Sequence, residues 1–243
     1  MVSLVGGGGK TTLMFQLARE FASNGQSVLT TTTTKIFRPP PDQSPQVIIA
    51  EDLATLSGRI QTPVCGHVTA ARSEQVELNK LVGYDPPMIV RLQKTGTFQW
   101  IIVEADGAAG RPLKAPASHE PVVPACSGWV IAVVGLDAVG KPLDDRYVFR
   151  SNEYSRLTGV SAGAPVSEES VARAVLDRDG ILRRFPPGAK RMVFLNKADG
   201  RDRRAAGRQI ARYLLERGKG IVDRVVCGSL LPEPSIVDFE LCI

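Results

Sequence analysis

Gly6-Gly7-Gly8-Gly9-Lys10-Thr11-Thr12 is the stretch from which the fold of this chain can be read. A glycine-rich turn binds phosphate when its backbone N–H groups converge on the anion and a helix N-terminus faces it. A lysine must also reach the terminal phosphates. Glycines supply the positive φ that such a turn needs, and a lysine and a hydroxyl at the helix start supply charge and a Mg²⁺ ligand. The flanks fit. Met1 to Val5 reads as a short buried strand. From Lys10 to Asn24, Leu13, Leu17 and Phe21, with Met14 and Ala18 beside them, share one helical face. Asn24-Gly25 closes that helix, and Ser27 to Thr34 is β-branched and short. Strand, loop, helix and strand make a βαβ unit with parallel pairing.

The frame of the loop is specific. Counting back from Gly9-Lys10-Thr11, the first glycine of G-x-x-x-x-G-K-[ST] falls on Leu4. The shorter frame G-G-x-G-K-T-T fits, and it resembles the loop K-G-G-x-G-K-[ST] of the class that includes signal-recognition and nickel-chaperone GTPases. Val5 stands where that loop has its signature lysine. The expected nucleotide ligands are Gly6, Gly7, Gly8, Gly9, Lys10, Thr11 and Thr12. Lys10 would also act in catalysis, and Thr11 in holding Mg²⁺.

Beyond Thr34 the alternation continues. Pro39, Pro40, Pro41 and Pro45 make a loop, and residues 51 to 95 read as helical, with Asp85-Pro86 a cap and first turn. Strands are expected at Trp100–Val103, Trp129–Val134, Met192–Leu195 and Ile221–Val226, with helices at about 167–177 and 201–217. Residues 137–165 show no clear pattern. The reading is α/β: a doubly wound, mostly parallel sheet of a P-loop NTPase flanked by helices. The 243 residues form one such domain, with a helical insertion at about 50–95.

Three further segments carry chemistry. Ile101-Ile102-Val103 delivers Glu104-Ala105-Asp106-Gly107 at a strand end, where Mg²⁺ coordination calls for one or two carboxylates. Glu104-x-x-Gly107 resembles the E-x-x-G motif of the nickel-chaperone GTPases, which implies Glu104 on the metal; Asp106 is expected to share that role or to polarise the attacking water. Met192 to Leu195 runs into Asn196-Lys197-Ala198-Asp199, an N-K-x-D sequence. Its aspartate pairs with the two donors on guanine, its lysine stem stacks on the ring, and an incidental turn is the alternative. Cys227-Gly228-Ser229-Leu230 is placed to close a loop over the base. Thr30 to Thr34 could order waters of the metal, and Lys35 could supply the charge that Val5 lacks; a β-branched strand with a solvated lysine is the other reading. Gly110-Arg111-Pro112-Leu113-Lys114 and His119-Glu120-Pro121 occupy the place of a switch region, with Lys114 meeting the γ-phosphate; a proline-stiffened structural loop is the other reading. Asp137, Gly140 and Arg150–Glu153 are candidates for a further surface.

Composition sets outer bounds. The chain is 43% hydrophobic and 23% charged, an ordinary globular balance, with a net charge of +5. Basic residues are scattered, which argues against a nucleic-acid-binding class, except for Arg201, Arg203, Arg204, Arg208 and Arg212. That cluster reads as a solvated helix face, with an acidic-partner or nucleic-acid surface as the alternative. Cys65, Cys126, Cys227 and Cys242 form no C-x-x-C pair and, with His67 and His119, point to reduced, mostly buried thiols rather than zinc ligands. Met1 already opens the first strand, and no apolar run approaches the roughly 20 residues that span a bilayer. The expectation is a soluble cytoplasmic protein with no membrane contact.

Taken together, Leu4–Thr12, Thr31–Ile36, Val103–Lys114, His119-Glu120-Pro121, Val134–Gly140 and Asn196–Asp199 resemble the YqeC-type selenium-dependent hydroxylase accessory proteins. The T-T-T-T-K run, E-A-D-G-A-A-G-R-P-L-K-A-P and H-E-P are the most specific pieces. Phe149-Arg150 stands where the family's His-Arg pair is expected. The resemblance implies an accessory role in maturing a selenium-dependent molybdenum hydroxylase, with that enzyme or its maturation machinery as partner. It leaves a homodimer open. Joined to the motifs, it gives a Mg²⁺-dependent NTPase that uses GTP, or ATP if N-K-A-D is a turn. Two other readings stand beside it: a kinase or nucleotidyl transferase on a cofactor precursor, with Lys35, Lys114 and His119 about the acceptor, and a nucleotide-dependent binding switch with little turnover.

Overall fold

The structure, a computed structural model, describes residues 1–61, 66–231 and 235–241, with the side chains of 237–241 left aside. Cys65 and Cys242, two of the four expected buried thiols, lie outside the described residues. The chain is α/β; the described residues form a nine-stranded, mostly parallel sheet and six α-helices, with two smaller sheets. It forms two compact units. The first comprises Met1–Leu4, Thr11–Gly107 and Val122–Gly128; the second comprises Val5–Lys10, Ala108–Pro121 and Trp129–Ile243.

The elements of the early chain are β1 (Val2–Gly6), α1 (Lys10–Ser23), β2 (Val28–Thr32), β3 (Lys35–Phe37), β4 (Val47–Ile49), α2 (Leu53–Arg59), β5 (His67–Ala71), β6 (Ser73–Gln75), β7 (Lys80–Val82), α3 (Pro86–Lys94) and β8 (Trp100–Glu104). In the first unit the strand order is β4-β5-β2-β8-β1, every pair parallel. Strands buried on both faces carry continuous apolar or β-branched runs, as β8 does with W-I-I-V. Leu29, Val68, Ile101 and Val103 of that sheet pack with Leu56, Met88, Ile89 and Leu92 of α2 and α3. Asp85 caps α3, its carboxylate accepting from Met88 N, with Pro86 in the first turn as the sequence indicates.

The stretch expected to be helical, 51–95, holds α2 and α3 but also β5, β6 and β7, with β6 and β7 joining β3 in a small antiparallel sheet. His67-Val-Thr-Ala-Ala lacks the bulky run that marks a buried strand. Its pairing to β2 is secured by a buried polar cluster instead. Thr30 Oγ1 lies 2.8 Å from His67 Nε2 and 2.7 Å from Thr69 Oγ1, and Thr69 donates to Ser44 Oγ. Burial pushes the His67 imidazole down to about 4, against a backbone hydrogen bond involving Gln43, so a neutral ring sits in this cluster.

The second unit adds β9 (Leu113–Lys114), β10 (Trp129–Gly135), β11 (Val148–Phe149), α4 (Ser151–Thr158), α5 (Glu168–Leu176), β12 (Lys190–Asn196), α6 (Arg201–Arg217), β13 (Arg224–Ser229) and β14 (Ser235–Leu241). β10, β12 and β13 are parallel neighbours and β14 pairs antiparallel to β13. α6 buries Ala206, Gly207, Ile210, Ala211 and Leu214. The last parallel strand begins three residues later than the sequence suggests. Ile221 and Val222 still donate to Gly218 O in a turn around Gly218-Lys219-Gly220. Cys227, Gly228 and Ser229 are therefore strand residues rather than a loop beyond the strand. Among the described residues no helix is long and apolar enough to cross a membrane.

Candidate functional site

In the second unit the glycine run leaves β1 and turns into α1 under tight constraint. Gly7 N donates to Val133 O and Gly8 N to Arg111 O, both at 2.9 Å. Gly8 has φ +79°, and a Cβ there would collide with the backbone of Gly135 and Pro112; one on Gly9 would collide with the Asn196 amide. No other residue fits this path. Two glycine amides are thus spent on carbonyls, and the amides left for an anion are those at the head of α1, whose first turn has no intrahelical acceptors. Lys10, only 4% exposed, donates from Nζ to Gly6 O at 2.6 Å, so its ammonium curls back over the loop.

The N-K-A-D segment reaches the same loop. Asn196 ends β12, and its Nδ2 donates to Gly8 O at 2.8 Å. Its Oδ1 is buried and has no partner among the described residues. Lys197 holds φ +64°, a left-handed conformation that costs an L-residue about 1–2 kcal/mol, and its Nζ meets Asp137 Oδ2 at 2.7 Å. Backbone strain of this kind collects at functional positions. Ala198 N donates to Gly228 O, and Ser229 Oγ donates to Asp199 Oδ1. Asn196, Lys197, Asp199, Ser229 and the loop residues Gly8 and Gly9 are brought together. The Asp199 side chain is 52% exposed, with Arg203 3.6 Å away. The Asp137 partnership was not specified by the sequence. The only signal was a carboxylate at the end of an apolar strand, Gly135-Leu136-Asp137, which matches Glu104 in position.

Lys114 is fully buried. Its Nζ donates to Glu120 Oε2 at 2.7 Å, and Arg150 donates to both Glu120 oxygens. Arg183 Nε donates to Glu120 O. Arg150, at φ +62°, stacks its guanidinium 4.5 Å from the Phe149 ring centroid. This clamp closes the segment whose start, Arg111, receives the Gly8 amide. His119 is exposed and stands outside the clamp. Burial raises the Glu120 pKa, but hydrogen bonds from Arg150 and Lys114, then their charges, prevail and hold it down to about 2. The folded carboxyl therefore binds its proton less tightly than the unfolded one. The stabilisation is complete above the ordinary carboxylate range and is lost as pH falls from about 4.5 toward 2. Glu120→Gln, which removes the charge facing a buried ammonium, should cost about 3 kcal/mol at pH 7. Urea unfolding of wild type and variant at pH 7 and pH 3 should show a gap that narrows in acid; an equal gap at both pH values would place the stabilisation elsewhere.

The first unit holds the carboxylate end of β8. Thr11 Oγ1 donates to Glu104 Oε2 at 2.6 Å, and Glu104 is 6% exposed. A half-buried hydroxyl beside a buried carboxylate is a pair of hard oxygen donors. Their spacing is close to the edge of about 3 Å between neighbouring ligands of an octahedral Mg²⁺, so the residues fit that ion. Asp106 is 1% exposed just beyond, where Ala105 N donates to Leu4 O. The threonines of β2 and its exit are spent on protein acceptors: Thr31 Oγ1 on Ala70 O, Thr32 Oγ1 on Glu104 O and Thr33 Oγ1 on Val122 O. Lys35 is exposed on β3, in the small antiparallel sheet.

Comparison with known proteins agrees with the family resemblance read from the motifs. The family model described as YqeC protein matches residues 2–152. A protein of Escherichia coli strain K12, named Uncharacterized protein YqeC, is 30% identical over 239 residues, which cover 97% of this chain and 90% of that protein.

Proposed function

Because the chain belongs to the YqeC family, to which both comparisons assign it, we propose that it is a Mg²⁺-dependent, GTP-binding and GTP-hydrolysing accessory protein. The observation that carries this reading is the Asn196 side chain donating to Gly8 O, two residues that stand 188 apart in the chain. An incidental N-K-A-D turn has no reason to fall on a glycine-rich loop. A nucleotide with its phosphates at the head of α1 and its base beside Asp199 needs that juxtaposition.

In this reading Gly6–Gly9 shape the cradle, and Lys10 leaves Gly6 O to meet the terminal phosphates. Thr11 and Glu104 hold the metal, which when bound neutralises phosphate charge. Asp106 orients water, Asn196 fixes the loop, and Lys197 with Asp199 and Ser229 frames guanine. Phosphoryl transfer asks a protein for little beyond positioning and charge stabilisation. Lys114, paired with Glu120 inside the protein, contributes by bracing the Arg111 segment against which Gly8 rests. The client would be a selenium-dependent molybdenum hydroxylase or its maturation machinery, as the family resemblance implies.

The test is a panel of nucleotides offered to the purified protein with and without Mg²⁺, with affinity and phosphate release both measured. Neither binding nor release with any triphosphate would overturn the proposal. Within it, Glu104→Gln should keep nucleotide binding but raise the Mg²⁺ concentration for half-maximal hydrolysis at least about tenfold, since an amide is a poor substitute for a carboxylate on the metal. An unchanged Mg²⁺ requirement would assign the metal to another group, with Asp106 first in line.

A further inference from the structure

We propose that the outer face of α6 is a docking ridge for an acidic helical face of a partner protein. The charge of this chain is not spread evenly. The 17 residues of α6 hold six arginines against Asp202 and Glu216, a net +4, while the whole chain carries +5. Arg204, Arg208 and Arg212 stand four residues apart and Arg201 three before them, so their side chains line one edge of the helix over about 17 Å. All four are exposed. Arg201, Arg208 and Arg212 have no hydrogen-bond or ion-pair partner among the described residues, and Arg204 donates only to Ala198 O. The other arginines of the helix differ: Arg203 faces Asp199, and Arg217 is held by Glu169.

This arrangement works against the helix that carries it. Like charges four apart destabilise a helix, and cations in its first turn oppose the macrodipole. Glutamate or glutamine at the same places would make a better free helix. An acidic partner offsets the repulsion. A facing helix with carboxylates at the same i,i+4 repeat matches the ridge in spacing, and the guanidinium fork meets a carboxylate through two parallel hydrogen bonds. A single-stranded nucleic acid fits less well. The exposed residues between Arg201 and Arg212 other than arginine are Asp202, Ala205 and Gln209, with no aromatic ring among them on which a base could stack.

The experiment uses the full chain at pH 7.5 and two probes: fluorescein-labelled poly-L-glutamate, whose carboxylates are ionised there, and a 20-base-pair DNA duplex. Wild type should bind poly-L-glutamate with an affinity that falls at least tenfold between 50 and 200 mM salt, as charge-driven binding does. It should bind the duplex less tightly at each salt concentration. The variant Arg201→Glu/Arg208→Glu/Arg212→Glu should lose poly-L-glutamate binding at least tenfold. A charge-matched control at exposed sites elsewhere, Lys94→Glu/Arg178→Glu/Lys219→Glu, should lose threefold or less. Circular dichroism of both variants should show wild-type helix content. Equal losses in the two variants would mean net charge alone, tighter binding of the duplex would mean a nucleic-acid surface, and no binding at 50 mM salt would mean a merely solvated face. Each outcome overturns the proposal. None of them bears on nucleotide binding, which involves other residues.

Discussion

Lys10→Ala should lower nucleoside triphosphate binding and turnover at least about a hundredfold. A charge-assisted contact to phosphate in a water-poor site contributes about 3 kcal/mol, and removing it loses that in full. The structure sharpens the expectation. Lys10 is 4% exposed and its Nζ sits on Gly6 O, so the free protein already holds the ammonium over the loop. Nucleotide replaces the Gly6 carbonyl with a better acceptor, and little side-chain entropy is lost in the exchange. Deleting the side chain should therefore affect ligand binding far more than folding. Titration with a fluorescent GTP analogue, beside phosphate release and a thermal melt, separates the two. Near-normal turnover in Lys10→Ala would remove the phosphate-loop assignment.

The second large effect is base choice: GTP should bind roughly a hundredfold more tightly than ATP. Asp199 can accept from N1–H and the 2-amino group of guanine, whereas adenine offers neither donor in that geometry. Two missing hydrogen bonds to a charged acceptor cost about 3 kcal/mol once the base covers the carboxylate. In the free protein that carboxylate is half exposed and takes the Ser229 hydroxyl. The discrimination thus arises on binding, when adenine would strip away water and return nothing. Asp199→Asn should cut the preference for GTP and favour xanthine nucleotides, whose 2-oxo group accepts where guanine's amine donates. Competition of GTP, ATP and XTP against one analogue reads this directly. Equal GTP and ATP affinities in wild type would reduce Asn196–Asp199 to an ordinary turn and favour a reading that uses adenine.

Much of this architecture was legible because it rests on local rules. A glycine run between strand and helix, W-I-I-V ahead of Glu104 and M-V-F-L ahead of Asn196 each state their element in consecutive residues. The limits of α6 follow from Gly200 and Gly218 at its ends. What could not be read is what depends on partners far away in sequence. β5 is a strand by virtue of Thr30, Ser44 and β2, not of its own His-Val-Thr-Ala-Ala. Lys114 read as a phosphate ligand because a lysine in a presumed switch suggests one. Glu120, six residues on, and Arg150 define its surroundings, and no pattern in the sequence announces that trio. The Asp137–Lys197 pair was hidden in the same way.

The threonine run of β2 has a consequence for alignment. A strand with alternating faces resists sliding because a shift by one residue would turn its apolar side to water. β2 is buried along its whole length, so that safeguard is missing and a slipped version would be nearly as dry. Its hydroxyls supply the missing index marks. Thr30 is matched to His67 and Thr69, Thr31 to Ala70 O and Thr32 to Glu104 O, and Thr33 just beyond is matched to Val122 O. A slip by one notch would orphan the whole set at once. Since one mark sits on Glu104 itself, the threonines set the height at which that carboxylate stops beside Thr11, much as the teeth of a key set its depth.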